Sequence, residues 1–216
     1  MHRLSRGILI TIEGIDGCGK STLIQTLKSL VCHLPIIFTK EPGDTDLGSA
    51  IKSAVKQQKK PLDDKAEFLL YAADRAQHMS EIVKPALLQK KIVICDRMAD
   101  SSVVYQGYVR GLDITTIEHV NAWAMDNITP DLTFFIALNP KITLQRIQER
   151  KQAANKSFWC SDPDIQNMQR ATDGYQCLFA QRKNIITLDG TKKTIMLAQE
   201  TATGIDNWLK NNFLYE

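Results

Sequence analysis

The sequence contains no apolar run that approaches the roughly 20 residues needed to cross a bilayer. The first residues, MHRLSR, are not followed by the apolar core of a signal peptide, so we expect a cytoplasmic protein with no membrane partner. No internal repeat or low-complexity segment is visible, and nothing therefore indicates a repeat array.

Cysteines are present but lack the spacing of a metal site or a disulfide framework. There are five of them: Cys18, Cys32, Cys95, Cys160 and Cys177. Cys32 and Cys95 lie in apolar stretches, and we expect reduced thiols that serve as small apolar residues.

The chain also lacks a strong charge of either sign. Its net charge is +3, from 27 basic and 24 acidic residues, which argues neither for nor against a nucleic-acid partner, and we expect none. With 216 residues and 44% apolar content, it can bury one substantial core. We therefore expect a single domain over residues 1–216.

Short apolar runs alternate with segments of helical periodicity. The strands are expected at residues 7–12, 34–39, 92–95, 132–138 and 185–188. The helices are expected at residues 20–30, 47–59, 63–89, 114–126, 142–150, 165–180 and 198–213, with a kink or break at Pro85. Strands that are apolar throughout predict an α/β sandwich of three layers, in which helices cover both faces of a parallel sheet. Ligands should gather at the carboxyl ends of the strands.

Residues 14–21, GIDGCGKS, match the phosphate-binding loop G-x-x-x-x-G-K-[ST] and directly follow the first expected strand. Glycines let the backbone curl so that N–H groups and the next helix N-terminus point at phosphates. Lys20 can reach the β- and γ-phosphates, and the Ser21 hydroxyl can ligate Mg²⁺. The alternative, a glycine-rich turn with an incidental lysine, is disfavoured by the strand and helix patterns on both sides. The expected ATP-binding residues are Gly14, Ile15, Asp16, Gly17, Cys18, Gly19, Lys20, Ser21 and Thr22.

A second polar pair, Asp96 and Arg97, follows the third expected strand. The carboxylate can hold Mg²⁺ through water, and the guanidinium can clamp a phosphate with two parallel hydrogen bonds. An isolated pair of this kind is usually a salt bridge at a strand end. Beside a phosphate-binding loop, a functional role is favoured.

An ordered series of short motifs resembles the signature of the bacterial thymidylate kinase family. The motifs are TKEPG at 39–43, YAADRAQH at 71–78, CDR at 95–97, DSS at 100–102, YQG at 105–107, RGL at 110–112 and PDLT at 130–133. The resemblance runs from the first strand to about Arg150. It implies a P-loop NTPase-like fold with a five-stranded parallel sheet, transfer of the γ-phosphoryl of ATP to dTMP, and a homodimer.

The resemblance also implies roles for individual residues. Asp16 should lie near the dTMP 3′-hydroxyl and the metal, with Ser21 and Asp96 as further metal-site residues. Lys20, Arg97, Arg150 and Asp16 should be catalytic. The residues that should contact dTMP are Glu41, Tyr71 stacked on thymine, Arg75 at O4, Arg97 at the phosphate, Ser102 and Gln106 at the base edge, and Tyr105 at the sugar 2′ position. Without the resemblance, the spacing of Tyr71 and Arg75 equally fits a helix that packs Tyr71 into the core while Arg75 extends to solvent.

Several positions depart from the family pattern. Met98 stands where tyrosine or histidine is common, Asp44 where a second glycine is usual, and Asn139 where aspartate is frequent. Residues 151–163 do not fit the usual lid, which we expect at about 146–163. Because Gly17 and Cys18 bring no arginine into the loop, the transition-state cation should come from this lid. Of Arg146, Arg150, Lys151 and Lys156, we choose Arg150, whose planar fork suits a phosphoryl transition state.

Two other functions remain open at this point. Another nucleotide or deoxynucleoside kinase would share the loop and differ in the acceptor pocket. A non-catalytic ATP-binding descendant would be consistent with the altered lid. A regulatory GTPase is rejected, because residues 155–158, NKSF, lack the aspartate of the N-K-x-D motif and do not follow an apolar strand.

Overall fold

The computed structural model describes residues 4–58, 60–154 and 164–212, with the backbone alone for residues 150–154. Its centre is a sheet of five parallel strands in the order β2-β3-β1-β4-β5. The strands are β1 (Ile8–Glu13), β2 (Ile36–Lys40), β3 (Ile92–Asp96), β4 (Leu132–Ala137) and β5 (Ile185–Asp189). The predicted parallel sheet is confirmed, and each strand lies within two residues of its expected position.

Helices connect every pair of consecutive strands. They are α1 (Lys20–Leu30), α2 (Asp46–Lys56), α3 (Asp64–His78), α4 (Lys84–Leu88), α5 (Ala99–Ser102), α6 (Ile114–Ala124), α7 (Pro140–Ala154), α8 (Ile165–Phe179) and α9 (Thr194–Asn212). Two π-helical segments, Met79–Val83 and Val103–Val109, continue α3 and α5. None of the helices among the described residues is both long and apolar enough to span a membrane.

Apolar side chains cover both faces of the central strand β1, and the two largest apolar clusters meet there. Ile8, Ile10 and Ile12 of β1 pack in the larger core, whereas Leu9, which alternates with them, packs in the smaller one. Because successive side chains of a strand point to opposite faces, both faces of β1 are buried. This arrangement is the three-layer architecture that the uninterrupted apolar strands predict.

The stretch predicted as one long helix with a break near Pro85 consists of α3, a π-helical segment and α4. Pro85 has no N–H for the carbonyl four residues earlier, and its ring crowds that carbonyl. The wider π turn, Met79–Val83, lies immediately before it and accommodates the mismatch. The helical backbone continues through Pro85 without a break, and the irregularity lies in the π-helical segment before it.

No helix was predicted for residues 99–109, yet α5 and the second π-helical segment occupy them. Polar residues and valines in this stretch follow no helical period, since the segment faces the site on one side and a core on the other. Cys18 and Cys95 are buried as expected. The expectation was wrong for Cys32, just after α1, and for Cys177, on α8, which are exposed and do not serve as core residues.

Candidate active site

The phosphate-binding loop lies between β1 and α1 and depends on glycine at several points. Gly14, Gly17 and Gly19 have φ of 147°, 82° and 109°, which side-chain-bearing residues rarely adopt. A β-carbon on Gly17 would also lie 2.7 Å from Cγ1 of Ile147. The loop therefore has the expected conformation and packs against α7.

The N-terminus of α1 and Lys20 form the centre of this loop. The N-cap, Gly19, provides no side-chain hydrogen bond, and the first turn contains no acidic residue, so the helix N-terminus suits an anion. The Lys20 ammonium donates to the carbonyls of Gly14 at 2.8 Å and Ile15 at 3.1 Å. These are neutral acceptors, and a phosphate oxygen is a stronger partner for the charged amine.

Asp96 and Ser21 meet beside the loop because β1 and β3 pair with Ile12 opposite Asp96. The Ser21 hydroxyl donates to Oδ2 of Asp96 at 3.2 Å, while Oδ1 is buried with no hydrogen-bond partner. A buried carboxylate oxygen without a partner, next to a hydroxyl, fits an oxygen-ligated cation such as Mg²⁺. The described residues contain no group of three or more His, Cys, Asp or Glu suited to a metal, so water and phosphate oxygens would complete the coordination.

Arg97 faces the loop from the end of β3. It has a positive φ of 69°, unusual for arginine, and its guanidinium donates to Oδ1 of Asp16 at 2.6 Å. The same group lies 5.3 Å from the ring centre of Tyr105, within cation–π range. Burial is the largest single effect and disfavours the charged guanidinium, but the charge of Asp16, together with smaller contributions from Tyr105, Tyr175 and Glu13, raises the pKa of Arg97 well above its ordinary value.

Tyr105 is fixed through its hydroxyl, which accepts a hydrogen bond from the backbone N–H of Asp16 at 3.0 Å. Burial, followed by the charge of Asp16, raises the pKa of Tyr105, so the phenol stays neutral at physiological pH. Asp16, Arg97 and Tyr105 thus form one group at the mouth of the phosphate-binding loop.

Arg75 lies in a buried network and not at the surface. Its Nε donates to Glu41 at 2.9 Å, and its two terminal nitrogens donate to Asn121 at 2.5 Å and Ser102 at 3.1 Å. Only 2% of the residue is exposed, so the interpretation in which Arg75 extends to solvent is wrong. A guanidinium carries five N–H groups, and two remain for another acceptor.

Glu41 connects this network to a second buried pair. Its other oxygen contacts Nδ1 of His78 at 2.9 Å, and Nε2 of His78 lies 2.7 Å from the Thr39 hydroxyl. Burial, then the negative charge of Glu41, raises the pKa of the neighbouring Asp74 to about 6. Glu41 was expected to contact the substrate, and in the structure its carboxylate bonds protein partners.

Two further residues predicted to contact the substrate, Tyr71 and Gln106, lie on α3 and on the second π-helical segment. Tyr71 is half-buried on α3, one turn before Arg75. Gln106 is buried in the π-helical segment, and its amide nitrogen donates to Glu67 at 3.0 Å. This bond fixes the amide orientation and leaves the carbonyl oxygen of Gln106 for another partner.

Each of the three departures has a local explanation. Asp44 accepts hydrogen bonds from the Thr39 hydroxyl and the Lys40 N–H, both at 3.0 Å. Although burial works in the opposite direction, these bonds and the Lys40 charge lower the pKa of Asp44. Met98 is buried in the smaller core. Asn139 accepts from the N–H of Lys141 at 2.9 Å at the start of α7.

The lid falls partly outside the described residues. The backbone of Arg150 and Lys151 belongs to α7, three and four residues after Ile147, which packs on Gly17. Arg146 is half-buried on the same helix. Lys156 and the rest of residues 155–163 lie outside the described residues, so the choice of Arg150 stays a prediction.

Sequence reasoning missed the buried partners of the site, in particular Asn121, Glu67, Glu13 and Tyr175. Asn121 binds Arg75 from α6, and Tyr175 reaches Arg97 from α8. Both lie on the buried faces of their helices, where most residues are apolar. A polar residue at such a position indicates that it has a hydrogen-bond partner, but the sequence does not indicate which residue that partner is.

The fold and the loop together define a P-loop nucleotide-binding protein of the phosphotransferase class: a parallel α/β sheet, a lysine at an open helix N-terminus, and an arginine across from it. The family described as thymidylate kinase matches residues 12–201. The chain belongs to the thymidylate kinase family, whose members are ATP-dependent phosphotransferases.

Individual relatives agree along the chain. A thymidylate kinase of Bacillus velezensis is 36% identical over 211 residues, covering 94% of this chain and 97% of that protein. One from Halothermothrix orenii is 48% identical over 143 residues, covering 65% of this chain and 69% of that protein. The crystal structure of thymidylate kinase from Ehrlichia chaffeensis matches with a TM-score of 0.73 and 28% identity, covering 92% of this chain and 98% of that one.

Proposed function

We propose that this chain transfers the γ-phosphoryl group of ATP to dTMP, giving dTDP and ADP. The observation that carries the assignment is the pairing of Asp16, in the phosphate-binding loop, with Arg97, at the end of β3. This pairing places the loop that would bind the phosphates of ATP beside the arginine that would bind the acceptor phosphate, both at the carboxyl ends of neighbouring strands. No observation favours another nucleotide or deoxynucleoside kinase, or a non-catalytic descendant.

On the donor side, the loop residues 14–22 hold the ATP phosphates through backbone N–H groups. Lys20 exchanges its bonds to the Gly14 and Ile15 carbonyls for β- and γ-phosphate oxygens. This exchange concentrates positive charge where the transferring phosphoryl group becomes more charged.

On the acceptor side, Arg97 holds the dTMP phosphate. A carboxylate oxygen of Asp16, at the mouth of the same loop, accepts a hydrogen bond from the dTMP 3′-hydroxyl. No general base is required, because a phosphate monoester is already ionised at neutral pH and attacks directly. The task of the protein is alignment and charge stabilisation.

Ser21 and Asp96 would hold Mg²⁺, which supplies charge neutralisation on the β- and γ-phosphate oxygens when it is bound. The buried Oδ1 of Asp96, which has no hydrogen-bond partner, supports this assignment. Asp16 stays a predicted third contributor, although one of its oxygens bonds Arg97 in the structure.

The thymine pocket uses Tyr71 as a stacking ring, the remaining N–H groups of Arg75 for O4, and Ser102 and Gln106 at the base edge. Tyr105 crowds the 2′ position and so favours deoxyribose. Support comes from the fixed positions of Arg75 and Gln106, whose partners hold them before a ligand arrives. Glu41 contributes indirectly, by orienting Arg75.

The domain works as one unit over residues 1–216, with a lid at about 146–163 that brings Arg150 to the transferring phosphoryl group. A cytoplasmic location stays a prediction. We further propose a homodimer through α3, on which Ala66, Leu69, Ala73 and Ala76 are exposed at helical spacing. Leu69→Lys should yield a monomer by light scattering, whereas Leu88→Lys, at an exposed position on α4, should not.

The decisive experiment is an acceptor panel. The purified chain, ATP and Mg²⁺ are incubated with dTMP, dUMP, UMP, CMP, dCMP, AMP or thymidine, and products are separated by chromatography. We expect dTMP to be phosphorylated in strong preference to UMP and CMP, because a wrong base leaves buried polar groups unpaired. Faster turnover of dCMP, AMP or thymidine would contradict the proposal.

A further inference from the structure

Glu13, the last residue of β1, is a fully buried carboxylate to which the proposed phosphoryl transfer assigns no role. Its Oε1 accepts a hydrogen bond from the backbone N–H of Met98 at 2.8 Å. Its Oε2 accepts from the hydroxyl of Ser101 at 2.7 Å and from that of Tyr175 at 2.9 Å. Both oxygens are therefore acceptors.

The same two hydroxyls contact Arg97. Nη1 of Arg97 donates to Ser101 at 2.9 Å and to Tyr175 at a longer 3.4 Å. Because a guanidinium can only donate, both hydroxyls accept from Arg97, and each has one hydrogen to give to Glu13. The two hydroxyls also lie 3.0 Å apart, and the negative charge of Glu13 makes its carboxylate the stronger acceptor for their hydrogens. The carboxylate thus sets the direction of both bridges between itself and the guanidinium.

We propose that Glu13 is a positioning residue for phosphoryl transfer: its buried carboxylate, acting through Ser101 and Tyr175, holds the Arg97 guanidinium where the acceptor phosphate binds. The proposal rests on the proposed function, in which Arg97 contacts the dTMP phosphate. It also gives α8 a role in the site, since Tyr175 comes from that helix and packs its ring against Phe135 and Phe179.

An amide cannot replace this carboxylate. If the nitrogen of a glutamine faced Ser101 and Tyr175, it would donate and turn their hydrogens away, towards Arg97. If it faced Met98, two N–H groups would oppose each other. Glu13→Gln keeps the volume of the side chain. In the first orientation it reverses the bridges to Arg97, and in the second it leaves the N–H of Met98, which anchors the residue next to Arg97, without its acceptor.

Protonation of Glu13 should disturb the bridges in a similar way. Burial, then the negative charge of Asp100, raises the pKa of Glu13 to about 7, against the opposing effects of Arg97, Ser101 and Tyr175. Asp100 is itself paired with Arg182 at 2.8 Å, and Cys95 is a neutral buried thiol nearby. The bridging arrangement is therefore present above about pH 7 and lost as the pH falls below it.

The experiment compares the unmodified chain with Tyr175→Phe, Ser101→Ala and Glu13→Gln. The equilibrium affinities for dTMP and for thymidine are measured by calorimetry, and kcat and both KM values by a coupled assay. Tyr175→Phe and Ser101→Ala should each weaken dTMP binding by about three- to tenfold, because each removes one hydroxyl bridge to Arg97 and leaves the other in place. Thymidine affinity and KM for ATP should stay unchanged, because only the phosphate meets Arg97.

Thr133→Val is the matched control. It removes a buried hydroxyl that is hydrogen-bonded to the Thr11 hydroxyl at 2.8 Å and that makes no bond to Arg97. It should leave the ratio of dTMP to thymidine affinity unchanged. Glu13→Gln adds a pH test: the ratio of its KM for dTMP to that of the unmodified chain should be high at pH 8 and approach one at pH 6. The titration of dTMP itself cancels in this ratio.

Equal losses for dTMP and thymidine in Tyr175→Phe and Ser101→Ala would overturn the proposal and indicate a purely structural network. The two single-hydroxyl variants keep the test valid if Glu13→Gln does not fold. If the unmodified chain turned over no dTMP, the proposed function would fail whatever the variants did. If it turned over dTMP and the variants matched it, only the positioning role would fail.

Discussion

The donor and acceptor halves of the site are built in different ways. In the donor half, residues 14–22, the buried Lys20 ammonium bonds carbonyls only five and six residues away. In the acceptor half, Arg75 bonds partners 34, 27 and 46 residues away, and Arg97 bonds Asp16 across 81. The donor half is thus a local structure that needs one strand and one helix, whereas the acceptor half needs segments that follow three different strands, β1, β2 and β3, together with α3, α5 and α6.

The two halves should also differ in how strongly their residues affect the stability of the fold. The donor half relies on neutral backbone groups and glycine conformations. The acceptor half buries charged groups, since Arg75 and Glu41 are 3% and 4% exposed in their side chains. Burying ions is expensive, and such a pair is stabilising only while every partner is present. We therefore expect donor-half changes to alter rate alone and acceptor-half changes to alter stability as well.

The largest effect is expected from a residue that belongs to neither half, Arg150. A transition-state arginine is worth on the order of 10³ to 10⁵ in rate. Arg150→Ala should lower kcat by that order with much smaller changes in either KM, measured in steady-state assays. If kcat falls less than about tenfold while Lys156→Ala abolishes activity, the catalytic cation is Lys156.

Next is Lys20→Ala in the donor half, which should lower kcat by about 10³-fold, the cost of a group that stabilises developing charge. The far-ultraviolet circular dichroism and the unfolding midpoint should match those of the unmodified chain, because the hydrogen bonds that Lys20 makes among the described residues all go to its own loop. Lys210→Ala, at an exposed position on α9, serves as the control. Undiminished turnover in Lys20→Ala would refute the assignment of the loop.

In the acceptor half, Glu41→Gln should reduce the free energy of unfolding by about 3 kcal/mol, because it leaves the buried Arg75 without its countercharge. Urea denaturation measures this loss, and dTMP affinity should fall with it. Glu200→Gln is the comparison, since its half-exposed pair with Lys192 should contribute less than about 1 kcal/mol. Similar small losses in both variants would remove the energetic distinction between the halves.

The smallest effect is expected from Asp44→Gly, which restores the usual family residue. Asp44 pairs with Lys40 at the rim, so its charge is already neutralised. Its removal should cost about 1 kcal/mol in stability and change the KM for dTMP less than about threefold. Tenfold tighter dTMP binding by the glycine variant would mean instead that the Asp44 charge acts on the acceptor phosphate.

Most of the fold was predictable because it depends on local patterns. The strands are continuous apolar runs and the phosphate-binding loop is a contiguous motif, and both were found at or near their expected places. The misses lie where one segment serves two environments. Residues 99–109 contact the site on one side and an apolar core on the other. Cys32 follows apolar residues in the sequence, yet it lies in an exposed turn after α1.

The sequence alone determined the identity of the donor half and the family, because these depend on residue types at fixed spacings along the chain. Only the tertiary structure decided that Arg75 is enclosed, that Met98 belongs to the smaller core, and that Glu13 reaches Arg97 through Ser101 and Tyr175. The contact between Glu13 and Tyr175 spans 162 residues. A polar residue at a buried position must find a partner, but its partner is chosen by how strands and helices pack, which no local pattern records.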